Sequence, residues 1–429
     1  MSHDVRRAEG DDVAVPKPER STIDGVPLLR GPKRNRAGAA FPLTEAASAS
    51  LEWSRGDGWT VGIKEGSRYI VASGGTARDY LNVWPSAHAV AQEALDVWSV
   101  RGVVNLVTAN PYGNHIAFWE DARGSVVRII GREPLSIGVS ATAQVRNAAG
   151  EVVPARSPVE RWHGSMRFYR TSQVTDDPFE ALRSLWLAVE NLLDAEVLEK
   201  GKDESEEKWL KRALEAAEQH ITLASYLPPP SGHDTPKAPH NAAYTYFYDE
   251  LRVDLFHAKA SRQPSLPHNA VAVAAMSERH ENLTRLYLDL LNKMTGVTRT
   301  GGGGLTYAGF EMATSTLANE ARIYLTNELA PFDREETEAA PPGREVAHAP
   351  AAPEPQQERP WLRVYLAAIP GADVEPLGPL TRMTLETEGK PAIAILIEGV
   401  LKVVNVDYVE TQIEVALYNR RQPKHFIFG

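Results

Sequence analysis

Between residues 170 and 297 the apolar residues recur every three or four positions, and on either side of that stretch they recur every second position. A change of period of this kind predicts helices in the middle of the chain and strands at both ends, which makes the fold class α+β. The first helix carries Phe179, Leu182, Trp186, Val189 and Leu193. Asp177 can cap it, Pro178 suits its first position, and Glu180 completes a capping box. The second carries Leu210, Ala213, Leu214, Ala217 and Ile221, and stops at Pro228-Pro229-Pro230. The third carries Tyr244, Phe247, Leu251 and Leu255; the fourth carries Met276, Leu283, Tyr287, Leu290 and Met294. Four such faces suffice for one antiparallel four-helix bundle.

Before that stretch, Trp59–Lys64 and Arg68–Ser73 read as strands around Gly66, and a helix follows Pro85 with Val90, Ala94, Leu95 and Trp98 on one face. A hairpin is expected from His115–Trp119 and Val126–Ile130, with another strand over 135–144. After it, strands are expected at 321–325, 361–366, 383–386, 392–397 and 401–406, and at the alternating Ile413, Val415 and Leu417. Residues 333–360 are rich in Pro, Ala and Glu and predict disorder. So does the polar segment 1–40, with its basic cluster Arg30, Lys33, Arg34 and Arg36. The expected layout is a disordered tail over 1–40 and an N-terminal α+β domain over 41–165. A helical bundle follows over 166–300, and an antiparallel β domain over 301–429.

The bulk properties narrow the function. The 429 residues exceed one hydrophobic core and imply two or three domains. A net charge of -10 argues against broad, non-specific nucleic-acid binding. The absence of cysteine excludes thiolate chemistry, disulfides and cysteine-ligated metals. There is no apolar run long enough to span a membrane and no apolar segment at the N-terminus, so the expected location is cytoplasmic. His220, His233, His240, His257 and His268 lack the close spacing of a zinc site, and no metal or cofactor is expected. Gly301–Gly304 lacks the Lys and Ser/Thr that follow a phosphate-binding loop.

One pair of residues stands out chemically. Arg252 and His257 lie on the third helix, about 140° apart around its axis, where both can flank a groove. The other pairs of similar spacing, Arg156/His163, Arg262/His268 and Arg420/His425, lie in segments containing proline. On the first helix Arg183 and Glu190 share a face and could line the same groove. The competing reading is an ion pair with the third helix, Arg183 with Asp249 or Glu250 with Arg252.

A helical bundle with an Arg-x4-His pair near the end of its third helix resembles the HEPN superfamily. The runs 176–183, 186–190, 207–214 and 255–259 are similar to those of MauJ-type proteins, and the resemblance covers about residues 50–429. Active HEPN proteins are metal-independent ribonucleases that usually act as dimers. The resemblance therefore implies that His257 would serve as general acid or base and Arg252 would bind the phosphate under attack by a ribose 2′-OH. Tyr244, Tyr246 or Tyr248 would stack on a base, with Asp254 and Lys259 beside the site. Val253 stands where active members commonly carry a polar residue, and Asp249, Glu250 and Asp254 would repel RNA. The leading expectation is therefore a homodimeric, partner-binding HEPN-like protein of the MauJ type, with a protein partner held by the N- or C-terminal region. The alternatives are a metal-independent endoribonuclease acting as a toxin or defence effector, and an accessory factor for a metabolic enzyme.

Overall fold

A computed structural model describes residues 20–28, 37–109, 113–136, 145–146, 148–153, 160–175, 177–229, 238–252, 270–297, 309–312, 314, 321–327, 347–354, 362–387 and 390–418. The fold is mixed α+β with two large sheets, as the two periods predict, and a small two-stranded one, β9 (Val145–Arg146) with β10 (Val152–Val153).

The nine-stranded sheet takes strands from both ends of the chain. From the first part come β3 (Ala37–Pro42), β4 (Leu51–Ser54), β5 (Thr60–Ile63), β6 (Tyr69–Gly75), β7 (His115–Asp121) and β8 (Gly124–Ser136). From the last part come β13 (Ala352–Glu354), β14 (Leu362–Pro370) and β17 (Tyr408–Tyr418). The order is β13-β14-β17-β8-β7-β3-β6-β5-β4. Every junction is antiparallel except β8 with β17, which run parallel from Val126↔Tyr408 to Ser136↔Tyr418.

The six-stranded sheet is equally mixed. It combines β1 (Thr22–Ile23) and β2 (Val26–Pro27) with β11 (Arg322–Thr326), β12 (Ala347–Pro350), β15 (Leu380–Thr387) and β16 (Lys390–Lys402), in the order β12-β11-β15-β16-β1-β2. Alternation along β8 shows how the layers stack. Val127 and Ile129 share a core with Met383 and Ile395 of the second sheet. Val126 and Ile130 share another with α1 (Tyr80–Val100), through Leu95 and Trp98. A Cβ on Gly131 would collide with Ile395 and Met383, so glycine there lets the two sheets close on each other.

These pairings correct several expectations. The tail expected over 1–40 contains three strands. Its turn at Asp24 and Gly25, with φ of 48° and 75°, is held from far away in the sequence. The Asp24 carboxylate accepts from Val400 N at 2.7 Å and Arg68 N at 2.9 Å, and Ile23 and Leu28 are fully buried. The separate N-terminal and C-terminal domains give way to shared sheets, because the apolar faces of each part complete those of the other. The C-terminal strands pair antiparallel among themselves, and β17 adds a parallel pairing with β8 of the first part. Within 333–360, β12 and β13 are ordered strands, while 333–346 and 355–360 lie outside the described residues. The helix expected after Pro85 starts at Tyr80, because Asp79 accepts from Asn82 N and caps it there. The 135–144 strand is the end of β8, and its remainder lies outside the described residues, as do Gly301–Gly304.

The central stretch forms helices α2 (Ser165–Val174), α3 (Pro178–Leu192), α4 (Glu206–Ala217), α5 (Pro239–Ala243) and α6 (Ala270–Thr295). Two wide, π-type turns follow α3 and α5, at Leu193–Val197 and Tyr244–Arg252. Phe179, Leu182, Trp186, Leu210, Leu214, Phe247, Leu283, Tyr287 and Leu290 share one core. The helical segment closes on itself where Arg161 N donates to Thr295 O at 2.9 Å.

Candidate functional site

The helix that carries Arg183 and Glu190 starts as its sequence dictates. The Asp177 carboxylate accepts from Phe179 N at 2.7 Å and Glu180 N at 3.1 Å, fixing the register of α3. Its apolar stripe then buries Phe179, Leu182, Leu185, Trp186 and Val189. Arg183, Trp186 and Glu190 fall at spacings of three and four, so they form one row along α3. Arg183 pairs with Glu180 on its own helix.

The segment after α5 meets this row through aromatic rings. Tyr248 lies 6.0 Å from Trp186, with the rings tilted at 58°. Tyr244 stacks on Tyr248 at 4.9 Å, and the Lys211 ammonium of α4 sits 4.4 Å from the Tyr244 ring centre. Burial, and then the neighbouring Asp249 carboxylate, push the Tyr244 hydroxyl well above its usual range, so it remains a neutral donor. Tyr246 turns the other way, accepting from Asn282 Nδ2 at 3.4 Å and lying near Arg279 of α6. Of the three candidate stacking residues, Tyr244 and Tyr248 therefore share the α3 side and Tyr246 does not.

Arg252 is the last described residue of this segment. His257, Asp254 and Lys259 lie outside the described residues. The structure thus brings together Trp186, Tyr244 and Tyr248, in one row with Arg183 and Glu190. Trp186 carries a feature that the sequence could not signal. It is 3% exposed, and its indole N–H has no hydrogen-bond acceptor. A buried donor left unsatisfied costs about 1–3 kcal/mol.

Two further polar clusters were not foreseen. In the first, His163 Nδ1 lies 2.8 Å from Ser165 Oγ, and Glu196 lies 3.6 Å from His163 Nε2. The series has the residue types of a hydrolytic triad. However, Ser165 is fully buried, and its hydroxyl also contacts Tyr287 Oη at 3.0 Å. With no route to a substrate, the group pins the start of α2 to α6.

The second cluster runs along the parallel seam. Arg128 of β8 bonds Glu410 of β17 at 2.6 Å and Gln412 at 3.1 Å, and Arg132 pairs with Glu414. The Arg128 guanidinium lies between the Tyr80 and Trp119 rings, at 5.1 and 5.0 Å. His115 Nδ1 lies 2.8 Å from Gly113 O, which can only accept, so Nδ1 carries the proton. Its Nε2 then accepts from Tyr80 Oη at 3.0 Å. Burial pushes this imidazole down to about 4, and it is neutral at pH 7. A cleft of about 350 Å³ opens beside the seam, lined by Arg78, Glu120, Asp121, Ser125 and Asp407. Charges of opposite sign at the same spacing of four, Arg128/Arg132 on one strand and Glu410/Glu414 on the other, are the sequence signal that would have matched these strands.

Among the described residues, no group of three or more His, Asp or Glu side chains is arranged to hold a metal ion. No helix among them is long and apolar enough to cross a membrane. Comparison with protein-family models, with curated proteins and with solved structures finds no match to this chain.

Proposed function

We propose that this chain is a HEPN-like, partner-binding protein of the MauJ type that works as a homodimer. Its helical segment serves as the four-helix unit, and the row Arg183–Trp186–Glu190 with Tyr248 forms one wall of the binding groove. The observation that carries this reading is the buried Trp186 indole N–H without an acceptor. A partner that seats a carbonyl or carboxylate oxygen against it removes the desolvation cost that the isolated chain bears. Such a partner also meets charge of both signs along the row.

A second reading is favoured by the Tyr244–Tyr248 stack, which ends one turn before Arg252. Stacked phenols one turn before an arginine along the chain suit an unpaired base and its phosphate. In that reading Arg252 and His257 cleave RNA without a metal, His257 moving the proton of the 2′-OH.

Two measurements separate the readings. Light scattering on the purified protein is expected to give twice the monomer mass; a monomer at all concentrations rejects the homodimer. Incubation with total RNA in EDTA is run beside Arg252→Ala and His257→Ala variants of verified fold. The partner-binding reading expects no cleavage that depends on either residue. Cleavage by wild type and by neither variant would replace it with the ribonuclease reading.

A further inference from the structure

The part-buried guanidinium groups of the parallel seam are matched to acceptors. Arg128 has Glu410 and Gln412, and Arg132 has Glu414. Arg382 of β15 differs from them. It is 6% exposed, and its Nε and Nη2 are buried without a hydrogen-bond partner. An arginine cannot shed its proton to escape this situation. A buried charge with no counter-charge costs several kcal/mol and persists where something else supplies the opposite charge.

Its surroundings define what that would be. Register places Thr326 of β11 and Leu396 of β16 directly across from Arg382, on the same face of the six-stranded sheet. The next rung carries Tyr324 and Thr384, and the one beyond it Arg322 and Glu386. The Glu386 carboxylate already accepts from Tyr324 Oη at 3.4 Å. It also stands four residues from Arg382 along the strand, about 13 Å away. The directly paired positions therefore offer a hydroxyl and an aliphatic side chain, and the Glu398 carboxylate, two residues beyond Leu396 on the same strand face, makes no ion pair with Arg382. Leu396, directly across, is 53% exposed, so the strand face that carries Arg382 borders solvent there. This face belongs to a different sheet from the β8–β17 seam.

We infer that Arg382 is the floor of an oxyanion site on the outer face of the six-stranded sheet, built for the carboxylate or phosphate group of a ligand. The two unmatched donors, Nε and Nη2, form one edge of the guanidinium and present two parallel N–H bonds. That is the geometry which holds two oxygens of one planar or tetrahedral anion. The site is independent of the HEPN reading and stands or falls separately from it.

The test is thermal unfolding of the full chain in sodium phosphate, sodium acetate and sodium chloride at matched ionic strength. Wild type is compared with Arg382→Met. Phosphate strengthens folding of any protein by exclusion from its surface, so the difference between the two proteins is the readout. We expect a saturable rise in the wild-type midpoint, by about 1–2 °C or more, that is absent from the variant. In chloride alone the variant is expected to melt higher than wild type, because it removes an unmatched buried charge. A larger response to phosphate assigns a phosphorylated ligand, and a larger response to acetate a carboxylate one. Equal responses of wild type and Arg382→Met overturn the site, as does a wild-type response no larger than in chloride. If Arg382→Met does not fold, Arg382→Lys replaces it. Its single ammonium lacks the fork, and less than half the wild-type rise is expected; an undiminished rise overturns the proposal.

Discussion

His115 shows how one buried group couples this fold to pH. It is 4% exposed and folded as the neutral imidazole, whereas in the unfolded chain it titrates near its ordinary value of 6.5. Between about 6.5 and about 4 the unfolded state therefore binds the extra proton, and stability falls as pH falls through that window. The shift corresponds to about 3 kcal/mol, fully lost below pH 4. Urea unfolding at pH 7.5 and 4.5 is expected to show this loss in wild type, and to show a smaller one in His115→Gln, which has no proton to gain. Identical pH dependence of the two proteins would reject the assignment. Trp186 and Arg382 teach a related lesson at the same scale. Neither residue type is unusual in sequence. What distinguishes them is an acceptor that is not there, and only the packed structure reveals that.

At the level of elements, the strands that composition hid are those whose partners are remote. β7 and β8 form a local hairpin, and their alternation makes them legible. β1 and β2 contribute two residues each, within a polar segment, and acquire order from Val400, 376 residues away. The helices with strong periodicity were legible, down to the Asp177 cap, while α2 was missed because its few apolar residues do not form a stripe. The candidate groove was legible in part. The spacing of Arg183 and Glu190 placed them on one face, but the wide turns of 244–252 changed which tyrosines face α3. The Asp24 clasp makes its own prediction. The carboxylate accepts from Val400 N, Arg68 N and Ser67 Oγ, the last at 3.1 Å. Asp24→Ala removes both acceptor oxygens and with them all three hydrogen bonds, and is expected to destabilise by about 2 kcal/mol or more. Asp24→Asn keeps one acceptor oxygen and tolerates the positive φ, so it should fall between. An unchanged urea midpoint in Asp24→Ala would show that the clasp contributes nothing.

On the scale of the whole molecule, the helical segment is an insertion between two parts of a sheet structure. Its core is its own, and its ends meet at Arg161 and Thr295. A fragment of residues 160–297 is therefore expected to fold alone, with cooperative thermal loss of its helical circular dichroism. A chain cut after residue 300 is expected to keep that helical signal and lose the sheets, since β7, β8 and β3 then lack half of their core. A fragment without a cooperative transition would contradict this division.

The parallel seam has a consequence for the order in which the molecule comes into being. Arg128 meets Glu410 across 282 residues of chain. At synthesis rates of about 5–20 residues per second, roughly 15–60 s separate the emergence of the two strands from a ribosome. Throughout that interval one long edge of β8 carries its apolar alternation and its two arginines with no strand beside it. The helical insertion, complete in itself, emerges during the wait. The protein's exposure to misassembly is thus set by the length of what is inserted between its halves.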